Sequence, residues 1–310
     1  MTPRIRYSIV APIYNEVESL PHLYRRVKLV MSALREPWEL ILVDDGSTDG
    51  STDAIRALAK KDRHVRPVIF ARNFGHQIAI TAGWDFARGD AVVIIDADLQ
   101  DPPEAIPKLL RKWKEGYDVV YAVRAEREGE SWFKRFSASV FYRLIYRITD
   151  VRIPVDTGDF RLMDRKVINV LNQMRERHRF PRGMSAWVGF RQVGVPYKRA
   201  ARHAGVTKYP FKKMLKLALN AITGFSYFPL QIATYFGFLS AGLAILAIPI
   251  VAILRMTGSQ FFLGQATTLI AVLFLGGVQL ISLGVLGEYL GRIYDEVKGR
   301  PLYIVREAPE

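Results

Sequence analysis

Two long stretches without a single charged side chain constrain this chain more than any other feature. They are residues 229–254, PLQIATYFGFLSAGLAILAIPIVAIL, and residues 261–287, FFLGQATTLIAVLFLGGVQLISLGVLG. Each is long enough to cross the roughly 30 Å hydrocarbon core of a bilayer as a helix. A buried soluble helix is the other reading, but two such runs separated only by RMTGSQ argue against it. Glycine and proline within them are tolerated in membrane helices.

Charge around these runs sets an orientation. Residues 195–220 hold seven Lys/Arg and no acid, whereas the short connection holds Arg255. Arg292, Lys298, Arg300 and Arg306 follow the second run, mixed with acids. The positive-inside rule then places both ends in the cytoplasm, with a short hairpin outside. The expectation is a multi-pass protein of the cell inner (plasma) membrane with its soluble domain cytoplasmic. The chain has 44 Lys+Arg against 30 Asp+Glu among 310 residues, a net charge of +14. Anionic membrane lipids account for much of that excess. Cysteine is absent, which excludes disulfides, zinc–thiolate sites and thiol nucleophiles. The short apolar run at 7–13 is too brief for a secretory signal and reads as a strand.

Before residue 165, apolar runs alternate with amphipathic stretches. Strands are expected at 7–14, 38–46, 65–71, 90–98 and 117–124. Helices are expected at 17–35, from about 51, at 75–89 and at 103–115. This βαβαβ order predicts a doubly wound, mostly parallel α/β sheet. Ligands bind such sheets at the carboxyl ends of the strands. Those ends carry Asn15 and Glu16, Asp44 and Asp45, Asn73, and Asp96 and Asp98. Further on, 155–163 reads as a loop feeding a short strand, 165–178 as a helix and 190–205 as a strand leading into a basic loop. Residues 211–226 place Phe211, Met214, Leu215, Ala218, Ile222 and Phe225 on one face, the pattern of a helix lying among headgroups.

The stretch VVIIDADLQDPPE runs a four-residue apolar strand into Asp96, Asp98, Gln100 and Asp101. Clustered carboxylates repel one another, so a cation is expected among them. Hard oxygen ligands suit Mg²⁺ or Mn²⁺, which retain waters and also bind substrate phosphates. A solvated acidic loop is the plainer reading. VDDGSTDGS is a second acidic strand end. Asp44 or Asp45 there could accept hydrogen bonds from a base or ribose, while Ser47, Thr48 or Asp49 caps the next helix. PIYNE is a third strand end, equally consistent with a simple turn.

Taken together, IVAPIYNE, ILVDDGSTDGS, RNFGHQIAITAG and DADLQDPPE resemble the nucleotide-sugar-dependent glycosyltransferases of family 2, with the GT-A fold. VRIPVDTGDFRLM, AGVTKYPFKKM and the two terminal apolar runs resemble the polyprenyl-phosphate glycosyltransferases, similar to the dolichol-phosphate-mannose synthase group. The resemblance implies a GT-A domain over 1–210, an interfacial amphipathic helix over 211–228, a two-helix transmembrane hairpin over 229–290 and a cytoplasmic tail over 291–310. It implies that Pro12, Tyr14, Glu16, Asp44, Asp45 and Asp96 line the nucleotide pocket. Asp96, Asp98 and Gln100 would hold Mg²⁺ or Mn²⁺, and Arg124, Arg135, Arg202 and Lys208 would face phosphates. Asp159 or Asp156 of DTGDF would be the functional carboxylate, Asp159 being favoured. The second pKa of a phosphate monoester is about 6, so the acceptor is already largely ionised and such a carboxylate has little proton to remove. It could instead orient the acceptor or sugar, or cap the loop that follows.

The expected activity is inverting transfer of a hexose, with glucose from UDP-glucose favoured, to polyprenyl (undecaprenyl) phosphate on the cytoplasmic leaflet. A processive polysaccharide synthase is the nearest rival, but such enzymes carry a Gln-x-x-Arg-Trp motif and more spans. A non-catalytic basic membrane scaffold is the third reading. Nucleic acid is not expected as a partner, because acids crowd the strand ends. The Gly284–Gly287 spacing leaves a homo-oligomer open. The five histidines show no ligand-like spacing and read as surface or supporting residues.

Overall fold

The computed structural model describes residues 4–124, 157–198, 226, 228–257 and 265–309. Among the described residues, eight strands form one mixed sheet. They are β1 (Tyr7–Ile13), β2 (Trp38–Asp44), β3 (Val65–Phe70), β4 (Ala91–Ile94), β5 (Val119–Arg124), β6 (Thr157–Asp164), β7 (Gln192–Tyr197) and β8 (Val305–Glu307), in the order β7-β5-β6-β4-β1-β2-β3-β8. The first four strands run parallel as 4-1-2-3. The chain therefore reverses its direction of travel across the sheet between β1 and β4. That reversal opens a crevice at their carboxyl ends, where doubly wound sheets bind ligands.

Alternation along the strands sends side chains to both faces. Ile9, Ala11, Leu40, Leu42 and Val93 pack on one face beneath α1 (Leu20–Ala33), α2 (Ser51–Lys61) and α4 (Ile106–Lys114). Val10, Ile41, Val43, Val92 and Ile94 pack on the other beneath α3 (His76–Phe86), α5 (Arg165–Gln173) and α6 (Pro181–Trp187). Helix α3 lies especially close to the sheet. A Cβ at Gly83 would come within 2.0 Å of Val10 Cγ1, so only glycine fits there.

Several elements differ from the sequence expectation. DTGDFRLM does not merely feed a short strand: Thr157 to Asp164 is itself an eight-residue strand, antiparallel to β4 and β5. The strand before DADLQD stops at Ile94, so both aspartates lie beyond it. Helix α6 was not foreseen, since seven residues are too few to show a helical period.

Two helices follow, α7 (Phe228–Met256) and α8 (Gln265–Val297). Both are long and apolar enough to cross a membrane, and no residue of their apolar windows is buried. Phe238 is 73% exposed and Leu280 72%, surfaces that water disfavours. The interfacial helix expected at 211–226 and the loop at 258–264 lie outside the described residues, Ser226 excepted. Helix α8 runs ten residues past the apolar run that ends at 287. At 33 residues it is about 50 Å long, more than a bilayer core requires. Its surplus carries Glu288, Arg292, Asp295 and Glu296 and reaches the soluble domain, where Glu296 accepts from the Arg177 N–H at 2.7 Å. The tail then returns to the sheet. Strand β8 pairs antiparallel with β3, Ala71 N–H donates to Ile304 O at 3.0 Å, and Tyr303 stacks on Phe70.

Candidate active site

The loops after β1 and β2 are stitched together by side chains from PIYNE and DDGSTDGS. Asn15 takes a left-handed conformation, φ 54°, and its Oδ1 accepts from Thr48 N–H at 2.8 Å. Asn15 N–H donates to Ser47 Oγ, and Glu16 N–H to Ser51 Oγ, each at 3.0 Å. Asp44 is buried and holds its own loop, accepting from Ser47 N–H at 3.0 Å and from the Thr52 hydroxyl. Asp49 accepts from Ser51 N–H at 3.0 Å and so supports the start of α2. Pro12 is buried beneath these turns, while Tyr14 is 43% exposed at their rim.

Asp45 reaches the other way. Its carboxylate accepts from Phe74 N–H at 2.7 Å and from Gly75 N–H at 3.0 Å, fixing the loop between β3 and α3. Burial pushes its pKa up to about 6 despite those bonds. Gly46 closes the same contact. Its φ is +70°, and a Cβ would meet Arg72 C at 2.6 Å.

The register of β4 and β6 pairs Ile94 with Arg161. Two residues further along that register, Asp159 comes opposite Asp96. Between them stands His76, the first residue of α3. Its Nε2 lies 3.5 Å from Asp96 Oδ1 and 3.4 Å from Asp159 Oδ2. Asp159 is only 4% exposed and is heavily ligated by donors. Arg182 Nε donates to its Oδ1 at 2.7 Å, Arg182 NH2 to its Oδ2 at 3.2 Å, and Gln77 Nε2 to the same Oδ2 at 3.4 Å. Burial alone would raise the pKa of Asp159, but the Arg182 charge and the His76 contact hold it well below the usual carboxylate range. Burial also opposes a charge on His76, yet hydrogen bonding to Asp159 and the field of both aspartates push it up to about 9. The centre is therefore an anion–cation–anion sandwich at neutral pH.

Asp96 behaves differently. Burial, reinforced by Asp159, Asp101 and Asp98, raises it to about 6 against the pull of His76. Its Oδ1 is buried with no hydrogen-bond partner. Beyond His76 at 3.5 Å, a divalent cation would offset the neighbouring charges of Asp98, Asp101 and Asp159. Asp98 and Gln100 follow in a tight turn, with Gln100 N–H donating to Asp98 Oδ1 at 3.1 Å and Leu99 at φ 60°. Among the described residues no three of His, Asp or Glu form a ready-made metal cage. An aspartate pair completed by substrate phosphates and water is the arrangement Mg²⁺ and Mn²⁺ favour.

Asp101 is fully buried and accepts from the Tyr197 hydroxyl at the end of β7. Arg124 lies in the same cluster, hydrogen-bonded to Tyr197 and 3.3 Å from where a Cβ on Gly158 would stand. The structure thus brings Asp96, His76 and Asp159 together and places Arg124 with Asp101 and Tyr197, while Tyr14, Glu16, Asp44 and Asp45 lie on the turns after β1 and β2, and Asp98 and Gln100 on the turn after β4. Asp156, Arg135, Arg202 and Lys208 lie outside the described residues. Sequence reasoning missed two central groups. His76 was set aside for lacking ligand spacing, although it opens a helix directly after an expected strand end. Arg182 sits on the unforeseen α6, and its one signal was the Pro181 that starts that helix.

The family model for Glycosyl transferase family 2 matches residues 8–171. An uncharacterized glycosyltransferase of Bacillus subtilis (strain 168), YkcC, is 51% identical over 99% of this chain and 95% of its own length. The bactoprenol glucosyl transferase of Shigella phage SfII is 43% identical over 98% of each. Among solved structures, mannosyl-3-phosphoglycerate synthase from Rubrobacter xylanophilus is similar at a TM-score of 0.48 and 15% identity, covering 84% of this chain and 77% of that one. The matched segment spans the strand ends from β1 through β6, and the chain belongs to glycosyl transferase family 2 and is a glycosyltransferase.

Proposed function

We propose that this protein moves glucose from UDP-glucose to polyprenyl phosphate, with inversion, at the cytoplasmic face of the inner (plasma) membrane. The observation that carries the reading is the convergence of Asp96, His76 and Asp159 at the sheet's switch point, in a chain that ends in two membrane-length helices. One substrate is water-soluble and the other is held in lipid, so a crevice joined to membrane helices suits both. The full-length similarity to a bactoprenol glucosyl transferase supports the acceptor class and the sugar.

In this reading the nucleotide lies over Pro12, Tyr14, Glu16, Asp44 and Asp45, and its diphosphate reaches Asp96. Mg²⁺ or Mn²⁺ held by Asp96, Asp98 and Gln100 would neutralise the departing diphosphate. The acceptor phosphate oxygen attacks the anomeric carbon as the bond to the nucleoside diphosphate breaks, and the electron pair leaves with UDP. Single displacement inverts the anomeric configuration. Asp159, already ionised and bound by cations, orients rather than deprotonates. Arg124, Arg135, Arg202 and Lys208 would balance the two phosphate groups. The chain divides into a cytoplasmic domain (1–210), an interfacial helix (211–228), a membrane hairpin (229–290) and a tail (291–310). Anionic lipids meet the basic segment between domain and hairpin.

Membranes containing the protein, incubated with a panel of radiolabelled nucleotide sugars and undecaprenyl phosphate, test this directly. A label extracted into organic solvent only with UDP-glucose is expected. A long polymer, or transfer from another donor alone, would overturn it.

A further inference from the structure

Asp159 faces the reacting centre from the N-terminal end of β6, and the nucleophile assigned above is itself an anion. A bare buried carboxylate there would repel it. The structure answers that conflict with a residue outside the segment matched to the family, which ends at 171. Arg182 meets Asp159 at both oxygens, 2.7 Å from Nε to Oδ1 and 3.2 Å from NH2 to Oδ2. This planar fork fixes both the position and the rotation of a carboxylate, which a single ammonium cannot do.

The short helix that carries Arg182 is itself secured. Pro181 presets its first turn, and the Ser185 hydroxyl donates to Arg182 O at 3.0 Å. Arg161 of β6 donates to Ser185 Oγ, and Gln192 of β7 donates to Ser185 O at 2.7 Å. Strands β6 and β7 therefore hold the helix, the helix holds Arg182, and Arg182 holds Asp159. Supporting shells of this kind maintain reactive geometry.

We propose that Arg182 is a positioning residue for the transfer: its two-point contact locks Asp159 in one orientation beside His76, facing the reacting centre at the end of β4. The inference rests on the functional reading above. Arg182 acts through Asp159 and not on substrate.

The test is a kinetic cycle on the full-length protein in lipid nanodiscs, with UDP-glucose and undecaprenyl phosphate. Wild type, R182Q, R182K, D159N and R182Q/D159N are compared for kcat and KM, and for UDP affinity by calorimetry. R182Q is expected to lower kcat about 100-fold, the scale of a 1 Å misplacement, with UDP affinity unchanged. R182K is expected to restore little, because a lone ammonium cannot make the fork. The double variant should match D159N within about twofold, since the proposed effect of Arg182 on the transfer runs through Asp159. Losses that multiply in the double variant, or an R182K that recovers full kcat, would overturn the inference. If R182Q loses UDP binding through misfolding, R182K with D159N and R182K/D159N completes the same cycle. A wild type that transfers no glucose to the lipid would instead sink the functional reading.

Discussion

His76 Nε2 lies 3.5 Å from Asp96 Oδ1, so the first residue of α3 supplies positive charge to the carboxylate just beyond β4. Removing it leaves Asp96 and Asp159 facing each other without an intervening cation. His76→Ala is expected to lower kcat about 100-fold, comparable to losing one charge-stabilising donor, with a smaller effect on UDP affinity. Steady-state kinetics on both substrates check this. The pH dependence has a definite sign. The folded-state pKa of about 9 exceeds the ordinary 6.5, so the stabilisation is complete below about pH 6.5. It is lost as pH rises through 9, and the gap in Tm between wild type and H76A should narrow over that window.

Asp45 titrates in the same sense for stability, over a lower window. Its folded-state pKa of about 6 lies above the ordinary 3.8, so the fold binds this proton more tightly than the unfolded chain. Its contribution therefore falls as pH rises from about 4 to 6. Asp45→Asn retains an acceptor for the Phe74 and Gly75 N–H groups without the charge. The variant should gain Tm relative to wild type across that interval and hold the gain at neutral pH, while binding UDP more weakly. Thermal melts at pH 4.5 and 7.5 give the comparison.

Asp96, crowded by Asp98, Asp101 and Asp159 and with an Oδ1 that accepts no hydrogen bond, predicts a metal requirement. Chelation should abolish transfer, and added Mg²⁺ or Mn²⁺ should restore it. Asp98→Ala should lower kcat at least 100-fold and remove the Mn²⁺ dependence of UDP binding in calorimetry. Full activity of D98A in chelator would contradict the metal assignment.

The tail is expected to matter for stability through packing more than through charge. Tyr303 stacks on Phe70 with ring centroids 5.1 Å apart and donates to Asp85 at 2.6 Å. Tyr303→Ala should cost about 2–3 kcal/mol, in the range of large truncations at partly buried sites. Arg56→Ala, which removes a solvent-exposed pair with Glu307, should leave unfolding almost unchanged. Denaturant midpoints of the two variants measure the contrast.

How much of this was legible in the sequence follows from the length of each signal. Strands β1 to β5 and helices α1 to α4 announced themselves through apolar runs and periodicity, and their acid-tipped ends drew the crevice. Alternation could not reveal β6, because Thr157, Gly158 and Asp159 are polar or small yet buried against the neighbouring strands. The three residues of β8 are too few to show any period. The surplus of α8 was hidden because charges at Glu288 and Arg292 end an apolar run without ending a helix. His76 and Arg182 were invisible for a different reason. Their importance comes from β4–β6 register and from the packing of α6 back onto β6, both tertiary facts that local spacing does not encode.

Strand β8 has a mechanical consequence. After the second long helix the polypeptide doubles back and sews itself along β3, with Glu296 gripping the domain on the way. A domain hung from one flexible strap could swivel freely and meet the bilayer at any angle. In the proposed reading, stitching the domain to the far end of its own hairpin would restrain such turning and hold the crevice toward the lipid substrate.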